Sequence, residues 1–340
     1  MIRPFTLRDL ALVSRLSESA VSFHTKSALT HNSHPVRDAL ISMVSGDYPT
    51  LICKRGEDGA TGFIQLQMQE SSSHAHIFFW GSQNRGSQKN GDDDELHLQE
   101  TIWLALLDQA IVTVGSRGVY SLVAEVDEMG DALPILRRAG FAVYTRQDIW
   151  ALDSIDVNAH STLLLTPRQT EDDWDIQLLY ANIVPRLVQL VEPLPALTEG
   201  KGWVLREDDE LVAFVHVSTG SIASWMRLFV HPNAESWAQD ILTAVLQQVM
   251  PTPTYPVFCC VRRYQSWLQG SLARTGFVLQ QSQAVMVKHT VQHHKKGLAE
   301  KTAVLETQGI RASAPIVGSY QLPKKNGKTI INDTTRKPTS

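Results

Sequence analysis

The chain has 340 residues, 43% of them hydrophobic, and a formal net charge of −4, enough for two ordinary domains that each bury a core. No apolar run approaches ~18 residues and the N-terminus, MIRPFTLRDL, carries no apolar leader, which argues against a membrane span or export. Three cysteines, Cys53, Cys259 and Cys260, make no disulfide framework, and the adjacent pair would point to opposite faces of a strand, so a reducing, cytoplasmic setting is expected.

Ile2 to Leu10, IRPFTLRDL, reads as a short strand leading into an amphipathic helix through Leu16, with Pro4 ahead of polar helix-start residues. His24, His31 and His34 follow in a stretch without regular pattern, and neither they nor His74 and His76 have the spacing of metal ligands, so no metal is expected. TLICKRGEDGATGFIQLQM places two apolar-rich runs around a turn at Arg55–Gly59, with the alternation of half-buried strands. HIFFWG (76–81) is a third strand. Leu98, Ile102, Ala105 and Leu106 share helical spacing, and YSLVAEV (120–126) is a fourth strand. ILRRAGF (135–141) closes a last helix before the strand-like AVYTRQDIWAL.

After the polar stretch Asp153–Thr162 the plan recurs. Leu165 to Trp174 repeats the opening, with Pro167 in place of Pro4. GWVLREDDELVAFVHVS is a second hairpin turning at Glu207–Glu210, and WMRLFVHP (225–232) is its third strand. A helix carries Trp237, Ile241, Ala244, Val245 and Val249, PVFCCV (256–261) is the fourth strand, and SLARTGF (271–277) closes the last helix. The two endings share Leu, three residues, Gly, Phe, 136 residues apart; each glycine suits the left-handed position after a helix and each Phe the core. Residues 1–152 and 163–291 are thus two domains joined by a linker, 153–162. The expected class is α/β (α+β), each domain a mixed, mostly antiparallel sheet flanked by helices. From 292 onward nine Lys/Arg stand against three Asp/Glu in a segment poor in large apolar residues. It is expected to be a disordered, solubilising tail, with a nucleic-acid or membrane-surface role as the alternative.

This order, with I-R-P…D at the start, a strand ending near V-H-P and the L-x-x-x-G-F ending, resembles the GNAT superfamily of acyl-CoA-dependent N-acyltransferases in both halves. The resemblance implies acetyl-CoA as cosubstrate, lying where two central strands splay apart, with its pyrophosphate on a Q/R-x-x-G-x-G/A loop at a helix N-terminus. It also implies a base that deprotonates a small-molecule or peptide amine and, commonly, a Tyr four residues before the Gly of the ending as acid.

In the first copy Gln83, Arg85 and Gly86 match the loop, but Gln88 stands where Gly or Ala belongs and an acidic run, Asp92–Glu95, follows. Glu125 and Asp127, two apart at the end of the fourth strand, are the candidate catalytic carboxylates. The second copy has no Gly between Pro232 and the end of its helix; Asn233 is expected to cap that helix, with Glu235 in its first turn. Leu136 and Leu272 stand at the Tyr position of the two copies, while Tyr144 and Tyr264 read as packing residues. Two functions stay open: an N-acyltransferase with degenerate cofactor motifs, or a catalytically inactive GNAT-like binding or scaffold protein. Tandem copies can pair within one chain, so a monomer with an internal pseudo-dimer is expected.

Overall fold

In the computed structural model the described residues are 2–54, 61–68, 72–83, 92–155 and 161–290, with side chains described from 99 onward in the helix that begins at Asp92. The turn at Arg55–Gly59, Arg85 and Gly86, half of the linker (156–160) and the tail from 292 lie outside them.

The first copy runs β1 (Ile2–Pro4), α1 (Leu10–Ser17), β2 (Val21–Ser22), α2 (Thr25–Thr30), α3 (Pro35–Ser45), β3 (Thr50–Lys54), β4 (Thr61–Met68), β5 (His74–Gln83), α4 (Asp92–Ser116), β6 (Ser121–Asp127), α5 (Ala132–Arg138) and β7 (Ala142–Leu152). The second runs β8 (Thr166–Pro167), α6 (Asp173–Ile183), α7 (Arg186–Gln189), β9 (Lys201–Glu207), β10 (Glu210–Thr219), β11 (Ser224–Val230), α8 (Ala238–Val249), β12 (Val257–Arg262), α9 (Leu268–Arg274) and β13 (Val278–His289). The repeated mixed plan is therefore present.

One difference matters for the site. The stretch holding His24, His31 and His34 is not irregular: it contains β2, α2 and α3. These elements escape periodicity because β2 has two residues and α2 six, while α3 starts on local chemistry, Pro35 in its first turn and His34 Nδ1 accepting from the Val36 amide at 3.3 Å.

A single sheet joins the copies, in the order β1-β3-β4-β5-β6-β13-β7-β12-β11-β10-β9-β8, with β2 added beside β5. The last strands are exchanged: β13 pairs with β6 of the first copy and β7 with β12 of the second. The exchange is written into the cores. Ala284 and Met286 of β13 pack with Leu66, Ile102, Leu106 and Leu136 of the first copy, and Trp150 and Leu152 of β7 pack with Met226, Ile241 and Leu272 of the second. Each such large apolar side chain contributes about 1.5–3 kcal/mol on burial, so separating the copies would forfeit part of both cores. β7 and β13 run antiparallel at the centre, and Gln147 faces Gln283, its equivalent under the same 136-residue offset.

Local chemistry sets the junctions. Gly140 and Gly276 have φ of +86° and +98°, and the Phe141 and Phe277 amides reach back to the Leu136 and Leu272 carbonyls at 3.0 Å, a Schellman closure of α5 and α9. Asp208 and Asp209, at φ 48° and 68°, form the two-residue turn of the β9–β10 hairpin. Cys53, Cys259 and Cys260 are buried thiols outside any disulfide, with Cys259 and Cys260 on opposite faces of β12. Among the described residues no helix is long and apolar enough to cross a membrane.

Candidate functional site

β5 and β6 are parallel partners over three pairs, His74 with Ser121, Ala75 with Leu122 and His76 with Val123, and then part. The chain's own segment Val21–Thr25 enters the gap. Val21 and Ser22 pair with Trp80 and Phe79 of β5. The Phe23 amide donates to the Phe78 carbonyl at 3.0 Å, and the Glu125 amide donates to the Phe23 carbonyl at 3.0 Å, so one residue bridges both strand edges. The Thr25 amide then donates to Glu125 Oε2 at 2.7 Å. Phe23 is 1% exposed, its ring 4.6 Å from that of Trp80 in an edge-on contact. Gly81 lets α1 deliver this segment: a Cβ there would stand 2.8 Å from the Leu16 carbonyl.

From this slot a buried polar seam crosses the four central strands. Thr25 Oγ1 donates to Gln283 Oε1 at 2.9 Å, and Gln147 Nε2 donates to the same oxygen at 2.6 Å. Arg262 and Cys260 both donate to Gln147 Oε1, the thiol at 3.3 Å. Arg262 also pairs with Glu192, which Arg227 approaches at 2.6 Å. Burial works against the Glu192 charge, but Arg227 and Arg262 outweigh it and hold the carboxyl below the usual range. The two glutamines come from sequence-equivalent positions, so the seam lies on the pseudo-twofold axis.

Beside it His24 and His76 stack edge to face, ring centroids 4.7 Å apart, and His24 Nδ1 shares a 2.6 Å hydrogen bond with Ser27 Oγ. Burial, then the neighbouring Lys26 and His31, push His24 down to about 4. Burial and His24 push His76 down to about 3, against the pull of Glu125 and Glu192. Both imidazoles are therefore neutral near pH 7, and can accept a proton but carry no standing charge.

Glu125, half-buried, sits where β5 and β6 part, whereas Asp127 is exposed, with Oδ1 accepting the Met129 amide at 2.8 Å in the following turn. The structure does not bring the two together on a shared centre. Gln83 is exposed at the end of β5. In the second copy the expected cap at Asn233 is corrected: the helix start is a 3-10 turn, Pro232–Trp237, that leads into α8, and His231 Nδ1 accepts the Asn233 amide at 3.2 Å, so the ring caps that turn. A cavity of about 550 Å³ next to this helix start is lined by Asp175, Glu207, Asp208, Asp209 and Glu210, carboxylates that repel a phosphate. Leu136 and Leu272 are fully buried, Tyr144 bonds His289, and burial pushes the Tyr264 hydroxyl well above its usual range.

With Phe23 in place the slot does not fit an acyl-CoA, since both main-chain edges that an extended ligand would use are already bonded. Sequence reasoning missed Phe23, Thr25, Gln147, Gln283, Glu192 and Arg262. Of these, only the glutamine pair had a signal, its place at the repeat offset.

No family model matches the chain, and no curated protein does. Among solved structures it is similar to a GCN5-related N-acetyltransferase from Sphaerobacter thermophilus, 10% identical, covering 86% of this chain and 96% of that one at a TM-score of 0.47. A tandem GNAT protein from the clavulanic acid biosynthesis pathway is 13% identical, covering 86% of this chain and 99% of that one, at 0.44. A GNAT-family acetyltransferase from Colwellia psychrerythraea is 12% identical, covering 85% and 99%, at 0.43. These are likenesses of fold at low scores, and the chemistry has to come from the residues themselves.

Proposed function

We propose that the chain is an acyl-CoA-dependent N-acyltransferase, with acetyl-CoA as cosubstrate, an amine of a small molecule or peptide as acceptor, and the first-copy slot, once Val21–Thr25 has left it, as its reaction centre. The supporting observation is that β5 and β6 part beside the carboxylate of Glu125. An acceptor ammonium of pKa about 10.4 must lose a proton before its nitrogen attacks a thioester, and Glu125 is the group at the slot that takes it. Leu136 leaves no side-chain acid at the position where the resemblance implies one, so the released thiolate takes its proton from water. Gln83, Arg85 and Gly86 would hold the pyrophosphate. Both copies complete each other's sheets within one chain, so the working form is a monomer, placed in the cytoplasm.

A second function, a catalytically inactive binding or scaffold protein, is favoured by Phe23 itself, which fills the slot, and by the acidic cavity of the second copy. One experiment separates them: thiol release from acetyl-CoA across a panel of amines, with the intact chain and with Phe23→Gly. Turnover that falls about 10²-fold or more in Glu125→Gln, with acetyl-CoA affinity kept, supports transfer. Absence of acetyl-CoA binding by both proteins leaves the scaffold.

A further inference from the structure

The segment in the slot is held from the other copy. After Phe23 the chain forms α2, which packs across onto β11 of the second copy. Its last residue, Thr30, is gripped by the 219–223 loop between β10 and β11. The Ile222 amide donates to the Thr30 carbonyl at 3.1 Å, and the Asn32 amide donates to Ser221 Oγ at 3.2 Å. Gly220 lies so close that a Cβ on it would stand 2.2 Å from the Thr30 carbonyl oxygen and 2.6 Å from Thr30 Cβ. At the other end of α2, Thr25 Oγ1 is bonded to Gln283, which belongs to the exchanged strand β13. Both ends of the helix that follows Phe23 are thus fixed by residues of the second copy.

We propose that the second copy is a latch: through the 219–223 loop and Gln283 it keeps Val21–Thr25 in the β5–β6 slot, and the slot opens when that grip is loosened. The device is an autoinhibitory contact between copies. It gives the second copy a task that needs neither a cofactor loop nor a catalytic carboxylate of its own. It also places control of the slot at a loop on the far side of α2, where a binding event could act without touching Glu125. A state open only a small fraction of the time lowers apparent ligand affinity by that fraction, so the grip sets the affinity of whatever enters. Only the ligand arm of the test below rests on the slot being an acyl-CoA site.

Native-state hydrogen exchange of the whole chain reads the latch without any ligand. Opening the slot frees the Phe23, Thr25 and Glu125 amides together while the β3–β4 amides stay protected. Gly220→Ala, which crowds Thr30, and Thr25→Val, which removes the hydroxyl but keeps the shape, should each speed exchange of those three amides by at least about 10-fold relative to β3–β4. Unchanged exchange in both variants overturns the latch. The second arm titrates acetyl-CoA: affinity should rise in the variants by the same factor as the exchange. Faster exchange with no binding by any protein leaves the latch standing and removes the acyl-CoA site. Binding by all proteins equally, with exchange unchanged, removes the latch and keeps the site.

Discussion

Acidification should loosen this protein well before its carboxylates titrate, because of His24 and His76. Both have an ordinary value of 6.5 when unfolded; in the fold His24 is pushed down to about 4 and His76 to about 3. Between those values the unfolded chain binds more protons than the folded one, so stability falls as pH falls, beginning near 6.5 and ending near the folded values. At 1.36 kcal/mol per unit, moving from pH 7 to pH 5 costs about 2 kcal/mol for each ring and about 4 kcal/mol for the pair. Both rings keep some exposure, which makes this an upper figure. The facing groups are accounted for: Lys26 and His31 disfavour charge on His24, while Glu125 and Glu192 favour it on His76 and lose to burial and to His24 and His74. The assay is urea unfolding at pH 7 and pH 5 for the wild type and for His24→Gln/His76→Gln. The wild type should lose up to about 4 kcal/mol and the double variant should lose less by most of that amount. Equal losses in the two proteins would falsify the account of these rings.

Arg262→Ala leaves Glu192 buried with Arg227 alone and removes a donor from Gln147, and should cost about 3–5 kcal/mol by denaturant midpoint, with Arg262→Lys recovering part. An effect under about 1 kcal/mol would mean that the seam adds little. Gly118 and Gly200 form a matched pair, at φ of +79° and +80°. A Cβ on Gly118 meets nothing within 4 Å, whereas one on Gly200 stands 2.3 Å from the Val217 carbonyl oxygen. Gly118→Ala should cost about 1–2 kcal/mol from the backbone alone and Gly200→Ala clearly more, so equal thermal shifts would contradict the packing at Gly200. Phe23→Ala should cost about 3–5 kcal/mol, read from the same urea curves, because a fully buried ring leaves a cavity beside Trp80.

The repeated plan was legible because it rests on local signals: alternation in TGFIQLQM, helical spacing in α8, and glycines at positive φ after α5 and α9. What was not legible is non-local. Nothing in AVYTRQDIWAL or VLQQSQAVMVK announces which sheet each strand joins, since both faces read alike and the partner is chosen by tertiary packing. The slot was hidden for a related reason. Val21, Ser22 and Phe23 are too few to make a strand pattern, and their structure comes from the edges of β5 and β6, elements more than fifty residues away in sequence. Glu125 was legible as a carboxylate at a strand end; its bond to Thr25, 100 residues distant, was not.

Acetyl-CoA titrated into the isotopically labelled chain, followed through the backbone amide signals, tests the central claim most directly, because it reports where a ligand sits. The slot predicts that the amides of Phe23, Thr25 and Glu125 shift together, that the shifts saturate in step, and that they grow at lower ligand concentration in Gly220→Ala. Shifts confined to the second copy, around His231 and Asn233, or no shifts at all in either protein, would contradict it.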